Sequence, residues 1–253
     1  MRICCRSSCA TRAILSDVLL IHGSCHGAWC WRDLVPALAR LGHTARAIDL
    51  PGHNDGRAPE TVTLEETCRA VADAASAETV IVGHSWGGFP ITGAVDVMPK
   101  GPRALVYLCS YIPADGLSLI EMRRAGPRQT IGGAAQKSGG GHSYSIVPSQ
   151  APDLFYQDCA PEIVEFALPR LCPQPIKPQD TPLAHPARWD GIPKAYIRCA
   201  QDRTIPPEYQ ATMAEQLPSE MRFELDCGHS PFFAAPVQTA AVLDQIMAAL
   251  PKA

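Results

Sequence analysis

A short apolar run rich in β-branched residues, Thr79-Val80-Ile81-Val82, passes directly into Gly83-His84-Ser85-Trp86-Gly87-Gly88-Phe89. The first part reads as a strand buried on both faces, and the residues after Ser85 are compatible with a helix. A chain that turns from strand to helix within so few residues must crowd the backbone around its central residue. Side chains at the flanking positions would obstruct that turn, and Gly83 and Gly87 remove them. The spacing is G-x-S-x-G. It lifts the Ser85 hydroxyl clear of the sheet and sets it at the positive end of a helix dipole.

The flanking segments fit the same architecture. Asp17 to Ile21, His43 to Leu50, Ala104 to Cys109, Ala195 to Cys199 and Arg222 to Leu225 read as strands. Helical patterns lie between them at Trp31 to Leu41, Leu64 to Ala75, Gly87 to Met98 and Pro207 to Leu217, with a last one at Pro236 to Leu250. Gly42 closes the first helix as a C′ glycine, and Thr63 with Glu66 forms a capping box on the second. Strands alternating with helices at this spacing predict a doubly wound, mainly parallel α/β sheet covered on both faces. The rhythm breaks from Pro113 to about Gly191, a proline-rich stretch with a flexible run at Gly132 to Gly141. It shows only short helical patterns, such as Pro161 to Leu171, which starts on an N1 proline. We read residues 113–191 as a helical and loop cap inserted over the carboxyl edge of the sheet. The domain spans residues 17–253, preceded by a leader, residues 1–16, expected to be disordered or to lie upstream of a later natural start.

With 46% hydrophobic residues in 253, there is ample material for one substantial core. A net charge of -3 gives no electrostatic case for nucleic acid or an anionic membrane. No apolar run is long enough to span a bilayer, and the leader lacks the apolar centre of a signal peptide. The eleven cysteines are scattered and odd in number, with no C-x-x-C pair. They read as reduced, mostly buried thiols of a cytoplasmic protein rather than as a disulfide framework or a zinc site.

A serine hydroxyl becomes a useful nucleophile when a base takes its proton and a carboxylate orients that base. In a sheet of this kind the order along the chain is Ser, Asp or Glu, His, each after a strand. Asp202 follows the strand Ala195 to Cys199, and His229 follows Arg222 to Leu225. Both fall at carboxyl ends, where open α/β sheets place their sites. Ser85, Asp202 and His229 are therefore the expected triad. Asp115, beyond the strand Ala104 to Cys109, is the rival acid, although Ala114-Asp115-Gly116 reads as a turn or helix cap. Asp226 is too close in sequence to His229 to orient it, and His22 and His84 read as supports of their own loops. Acyl transfer also needs donors for an oxyanion. The backbone N–H of Trp86 is one candidate and that of Ser24 the other, with Cys25 as the neighbouring alternative.

At this point the residues resemble a known group. Leu20-Ile21-His22-Gly23-Ser24-Cys25-His26-Gly27-Ala28-Trp29, together with Val82-Gly83-His84-Ser85-Trp86-Gly87-Gly88, is similar to the α/β-hydrolase superfamily, with a reduced set of N-terminal strands. The C-H-G-A-W variant narrows the resemblance to plant methylesterases and hydroxynitrile lyases and their bacterial esterase relatives. The likeness continues through Ile48 to His53, Asp202 to Gln210 and Gly228 to Pro231, and is weakest in the cap. Hydroxynitrile lyases of this group carry a lysine directly after the catalytic histidine. Ser230 stands there in this chain, which disfavours cyanohydrin cleavage. Haloalkane dehalogenases place an aspartate where Ser85 stands.

The resemblance therefore implies a serine carboxylesterase that needs no cofactor and no metal. Two other classes share the triad or the fold: carbon–carbon bond hydrolases or lyases, and non-catalytic small-molecule receptors. The expected partner is a small-molecule ester. The oligomeric state is left open, with a homodimer among the options. Leu117, Ile120, Leu154, Phe155 and Phe166 of the cap, with Cys25, His26, Trp86 and Tyr111, are the expected pocket residues. Such a lining would be apolar with little cationic character, which favours hydrophobic or aromatic esters of modest size.

Overall fold

The computed structural model describes residues 15–114, 116–138 and 140–251. Strand β1 (Asp17–Ile21), helix α1 (Leu34–Arg40), β2 (Thr44–Ile48), α2 (Leu64–Asp73), β3 (Thr79–His84), α3 (Gly88–Val97) and β4 (Ala104–Leu108) alternate as expected. The cap follows with α4 (Leu119–Ala125), β5 (Ala135–Lys137), β6 (Ser143–Ile146), α5 (Ala151–Phe155), α6 (Pro161–Ala167), β7 (Gln174–Pro175) and α7 (Ile176–Gln179). The alternation resumes with β8 (Lys194–Cys199), α8 (Pro207–Ala214), β9 (Arg222–Leu225), α9 (Pro231–Ala234) and α10 (Pro236–Ala249).

The main sheet has six strands in the order β2-β1-β3-β4-β8-β9, and every neighbouring pair is parallel. Because strands alternate their side chains, the two faces carry different residues. Val18, Leu20, Val80, Val82 and Val106 pack against Leu34 and Leu38 of α1 and Leu243 and Met247 of α10. Leu19, Ile21, Ile81, Leu105 and Tyr107 pack against Val71 of α2, Phe89 and Val95 of α3 and Met213 of α8. A sheet buried on both sides cannot show polar alternation in sequence, which is why β1, β3 and β4 read as apolar runs, while the edge strands β2 and β9 are mixed and partly exposed.

The local signals hold at atomic detail. Gly42 has φ +92, and the amides of Gly42 and His43 donate to the carbonyls of Ala39 and Leu38. This is the double bond pattern of a Schellman motif at the end of α1. Thr63 and Glu66 cap each other at the start of α2, and Ser118 and Glu121 repeat the device on α4.

Several expectations need correction. Ser16 was placed in the leader, yet it is buried and its carbonyl accepts from Thr44 N–H at the sheet edge. The remainder of the leader up to residue 14 lies outside the described residues. The cap is not only helix and loop. It holds a three-stranded antiparallel sheet in the order β5-β6-β7, and β5 occupies part of the run read as flexible. The short pairings of β5 and β7, and the glycines around β5, gave no period-two signal to read. The helix expected at Pro161 to Leu171 ends as a 3-10 turn, Leu168–Arg170.

The cap sits on the carboxyl edge through specific contacts. Cys172 N–H donates to the carbonyl of Cys25, Thr130 Oγ1 to that of Thr204, and Gly228 N–H to Asp158. The cysteines among the described residues are all free thiols, and all but Cys159 are buried. No described helix is long and apolar enough to cross a membrane.

Candidate active site

The strand order fixes where the site lies. From β1 the chain moves outward to β2, then crosses back over β1 to β3, so the winding direction reverses between β1 and β3. The loops leaving those two strands diverge and open a crevice at their carboxyl ends. The pairing of Ile21 with Gly83 brings the loop at Ser24 beside the turn at Ser85.

That turn is tight. Ser85 has φ +55, a left-handed conformation rarely adopted by a residue with a side chain. A Cβ on Gly83 would come within 2.8 Å of the Gly87 carbonyl oxygen, and one on Gly87 within 2.9 Å of the carbonyl oxygens of Ile21 and His22. A third small residue was not singled out from sequence. A Cβ on Gly88 would lie 1.9 Å from the Tyr111 carbonyl oxygen. The turn is also tied down from β4. Ser110 Oγ donates to the Ser85 carbonyl at 2.6 Å and the Tyr111 amide donates to it at 3.1 Å.

Ser85, His229 and Asp202 meet in one line. Ser85 Oγ lies 3.2 Å from His229 Nε2, and His229 Nδ1 donates to Asp202 Oδ2 at 2.8 Å. All three are buried, with Ser85 retaining 7% exposure. Asp202 Oδ1 accepts the amides of Thr204 and Ile205 at 2.7 and 2.9 Å. Its other oxygen also accepts Gln210 Nε2 at 2.8 Å. Gln210 was not singled out from sequence. No local pattern marks it, because a polar residue on α8 reads as ordinary helix surface until its burial is known. Its Nε2 also donates to the Ile205 carbonyl, and its Oε1 accepts the Cys199 amide. Asp226 accepts from Gln201 and belongs to the loop, while Asp115 lies outside the described residues.

Around this line the other histidines are neutral supports. His22 Nδ1–H donates to the Gly23 carbonyl, and its Nε2 accepts the Leu50 amide. His84 is fully buried, its ring 4.6 Å from that of His229, and donates from Nε2 to the carbonyl of His229 at 2.8 Å. Burial holds His22 and His84 well below the ordinary imidazole range and brings His26 down to about 4. His53 is lowered for the same reason and lies 2.9 Å from Gln174 Oε1. His84, Cys109 and His229 bring ligand-type atoms within 4.8 Å of one another. His84 Nε2 and Cys109 Sγ are both spent on the His229 carbonyl.

The oxyanion candidates are arranged as follows. The Trp86 amide falls in the first turn after Ser85, where a helix has no internal acceptor to offer. Its side chain packs into the core, so only its backbone faces the turn. The Cys25 amide is taken by Gln174 Oε1 at 3.3 Å, whereas the Ser24 amide bonds to no described residue. A Cβ on Gly23 would lie 2.8 Å from Ser85 Cβ, a measure of how closely the two loops approach.

Four pocket expectations need correction. His26 uses both ring nitrogens, on the Ser24 carbonyl and the Tyr156 hydroxyl, and is buried, so it braces the loop. Cys25 is fully buried with its amide and carbonyl both engaged by the cap. Phe166 carries the guanidinium groups of Arg32 and Arg170, 4.1 and 3.9 Å from its ring centroid, and packs against Trp29 and Phe233. Leu117 bridges to Leu183 and is 37% exposed. Phe155 does approach the site, stacked 5.9 Å from the His229 ring, with buried Leu154 beside it accepting from Thr204. Tyr111 is buried in the core, with its amide on the Ser85 carbonyl.

Comparison with known proteins agrees with this architecture. A carbendazim hydrolyzing esterase of Nocardioides is 30% identical over 245 residues, covering 90% of this chain and 98% of that protein. Methylesterase 4 of Arabidopsis thaliana is 27% identical over 250 residues, 90% of this chain and 95% of its own. The solved structure of a pyrethroid hydrolase from Sphingobium faniae superposes with a TM-score of 0.82 at 25% identity, over 93% of this chain and 98% of the other. These likenesses support a hydrolase with esterase relatives. Residues 18–242 match the family model described as the alpha/beta hydrolase family, and the chain belongs to that family.

Proposed function

We propose that the protein is a serine carboxylesterase acting through an acyl-enzyme on small esters with a hydrophobic or aromatic body. The observation that carries this reading is the unbroken contact line from Ser85 Oγ through His229 to Asp202, at a serine held with φ +55. In this reading His229 Nε2 takes the Ser85 proton as Oγ attacks the ester carbonyl. Asp202 holds the Nδ1–H tautomer and stabilises the imidazolium that forms. The Ser24 and Trp86 amides receive the oxyanion, which costs no reorganisation because both loops are already fixed. His229 then protonates the departing alcohol, and a water activated by the same ring releases the acyl group. The surrounding imidazoles stay neutral, so no second positive charge opposes the imidazolium at His229.

Phe155 supports the apolar part of the substrate reading, since its ring stacks 5.9 Å from that of His229. The test is hydrolysis of a short p-nitrophenyl ester by wild type and by Ser85→Ala. Turnover by wild type and background rate in the folded variant are expected. Equal turnover in both, or none in a folded wild type on a panel of aryl and methyl esters, overturns the reading.

A further inference from the structure

The cap contains a cleft of about 260 Å³, walled by α4, the β5–β6 pair and α7. Tyr144 and Ile120 are its buried residues, at 6% and 8% exposure. Around them stand Arg123, Arg124 and Lys137, with Asp180 as the acid in the lining. This cationic lining differs from the apolar pocket lining with little cationic character expected from the sequence. Arg124 is shared with Glu121 on the same helix. Arg123 has neither an ion pair nor a side-chain hydrogen bond among the described residues, although it is only partly exposed.

The position of Arg123 matters more than the count of charges. Its positive charge acts on the hydroxyls of Tyr111 and Tyr144, both buried. Tyr111 is the residue whose amide holds the Ser85 carbonyl. Tyr144 donates to Gln179 Oε1 at 3.0 Å, and Gln179 Nε2 donates to Ser24 Oγ at 2.7 Å. The cleft wall is thus joined through two hydrogen bonds to the loop that carries the candidate oxyanion donor. A partly desolvated guanidinium with no internal partner is completed by an anion, and its planar fork suits a carboxylate bidentately.

We propose that the ester hydrolysed at Ser85 carries a free carboxylate, remote from the scissile bond, that pairs with Arg123. This rests on the esterase reading above and names its substrate class: an amphipathic half-ester, apolar along its body and anionic at its far end. Arg124 and Lys137 add attraction at the mouth of the cleft without fixing geometry.

The test uses p-nitrophenyl esters of graded acyl length that end in a carboxylate, each against its neutral isostere ending in an isopropyl group. A second series places the carboxylate on the leaving alcohol. At one length or more, in one series or the other, wild type is expected to prefer the acid. Arg123→Gln should lower the acid-to-isostere ratio of kcat/KM by about tenfold to a hundredfold, as expected for a lost charge-assisted contact. Arg123→Lys should recover part of the ratio. Arg69→Gln, an equal change of charge on α2, should leave it unmoved.

A preference for the isostere throughout, or a ratio unaffected by Arg123→Gln or shifted equally by Arg69→Gln, overturns this proposal while the esterase reading stands. No hydrolysis of any member by the folded wild type overturns both.

Discussion

Gln210 offers the sharpest test of how the site is supported. It is fully buried and makes three bonds, to Asp202 Oδ2, to the Ile205 carbonyl and from the Cys199 amide. The Cys199 amide lies beyond the last β4–β8 pair, Leu108 with Ile197, so no ladder partner replaces the side chain there. Gln210→Met keeps the volume and removes all three bonds. Each buried backbone group left without a partner costs about 1–3 kcal/mol, and loss of a donor to a carboxylate costs a similar amount. The sum is roughly 3–9 kcal/mol, a large share of a stability of about 5–15 kcal/mol. At about 2–4 °C per kcal/mol for a chain this long, that corresponds to a fall in Tm of at least about 6 °C.

Catalysis should suffer separately. Asp202 keeps the Thr204 and Ile205 amides on Oδ1 but retains only His229 on Oδ2. The carboxylate can then rotate about its anchored oxygen, and His229 loses part of its orientation. A loss of about 1.4 kcal/mol of transition-state stabilisation lowers kcat about tenfold with little change in KM. Steady-state hydrolysis of a p-nitrophenyl ester, measured well below the variant's unfolding transition, reads kcat and KM apart. An unchanged kcat alongside the lowered Tm would reduce Gln210 to a structural residue. An unchanged Tm would refute the accounting itself.

Two further outcomes follow from the same geometry. His26, at about 4 in the folded protein against 6.5 in the open chain, is neutral when folded and binds a proton when unfolded. Its contribution is present above pH 6.5 and is lost as pH falls toward 4, so from pH 7 to 5 it alone removes about 2 kcal/mol. His22, His53 and His84 act in the same direction. Thermal unfolding should therefore weaken steadily between pH 7 and 5, above the range where carboxylates protonate, and a flat Tm there would contradict buried neutral imidazoles. Gly88→Ala sets a methyl group against the Tyr111 carbonyl, which is backbone and cannot swing aside. It should cost about 3 kcal/mol and much of the activity, and a variant with wild-type Tm and kcat would show that this turn is looser than described.

How much of this was legible in the sequence depended on whether the signal was local. Thr79 to Val82 and Gly83, Ser85 and Gly87 encode a buried strand and a crowded turn in adjacent residues, and Thr63 with Glu66 encodes its cap within one helical turn. The main sheet could be read because each inner parallel strand carries its own apolar run, and the mixed edge strands β2 and β9 fall in place by the alternation with helices. The small sheet of the cap could not, since β7 is only Gln174–Pro175 and owes its place to pairing with β6 across a long connection. Phe155 lies beside His229 as expected, but the side each other cap residue faces was not legible, for a related reason. Apolar composition says that Phe166 and Leu117 prefer company, but not which side of the cap supplies it. His26 and Gln210 differ again, because a polar residue in a buried place declares itself only when its partners are known.

Those partners explain why the cap is more than a cover. Gln174 takes the Cys25 amide, Gln179 takes the Ser24 hydroxyl, and His26, bonded to Tyr156 of the cap, takes the Ser24 carbonyl. Each removes an alternative conformation of one short loop, so the Ser24 N–H is left as the unengaged donor while its neighbours are held. A loop free to relax would let that amide find an internal acceptor, and a preorganised oxyanion donor must not. The same glutamine that fixes Ser24 leans on Tyr144, at the wall of the cleft that holds Arg123. On the proposed function, substrate contacts made in the cap would be mechanically continuous with the proposed donor at Ser24, and interactions remote from the scissile bond would favour the transition state rather than binding alone.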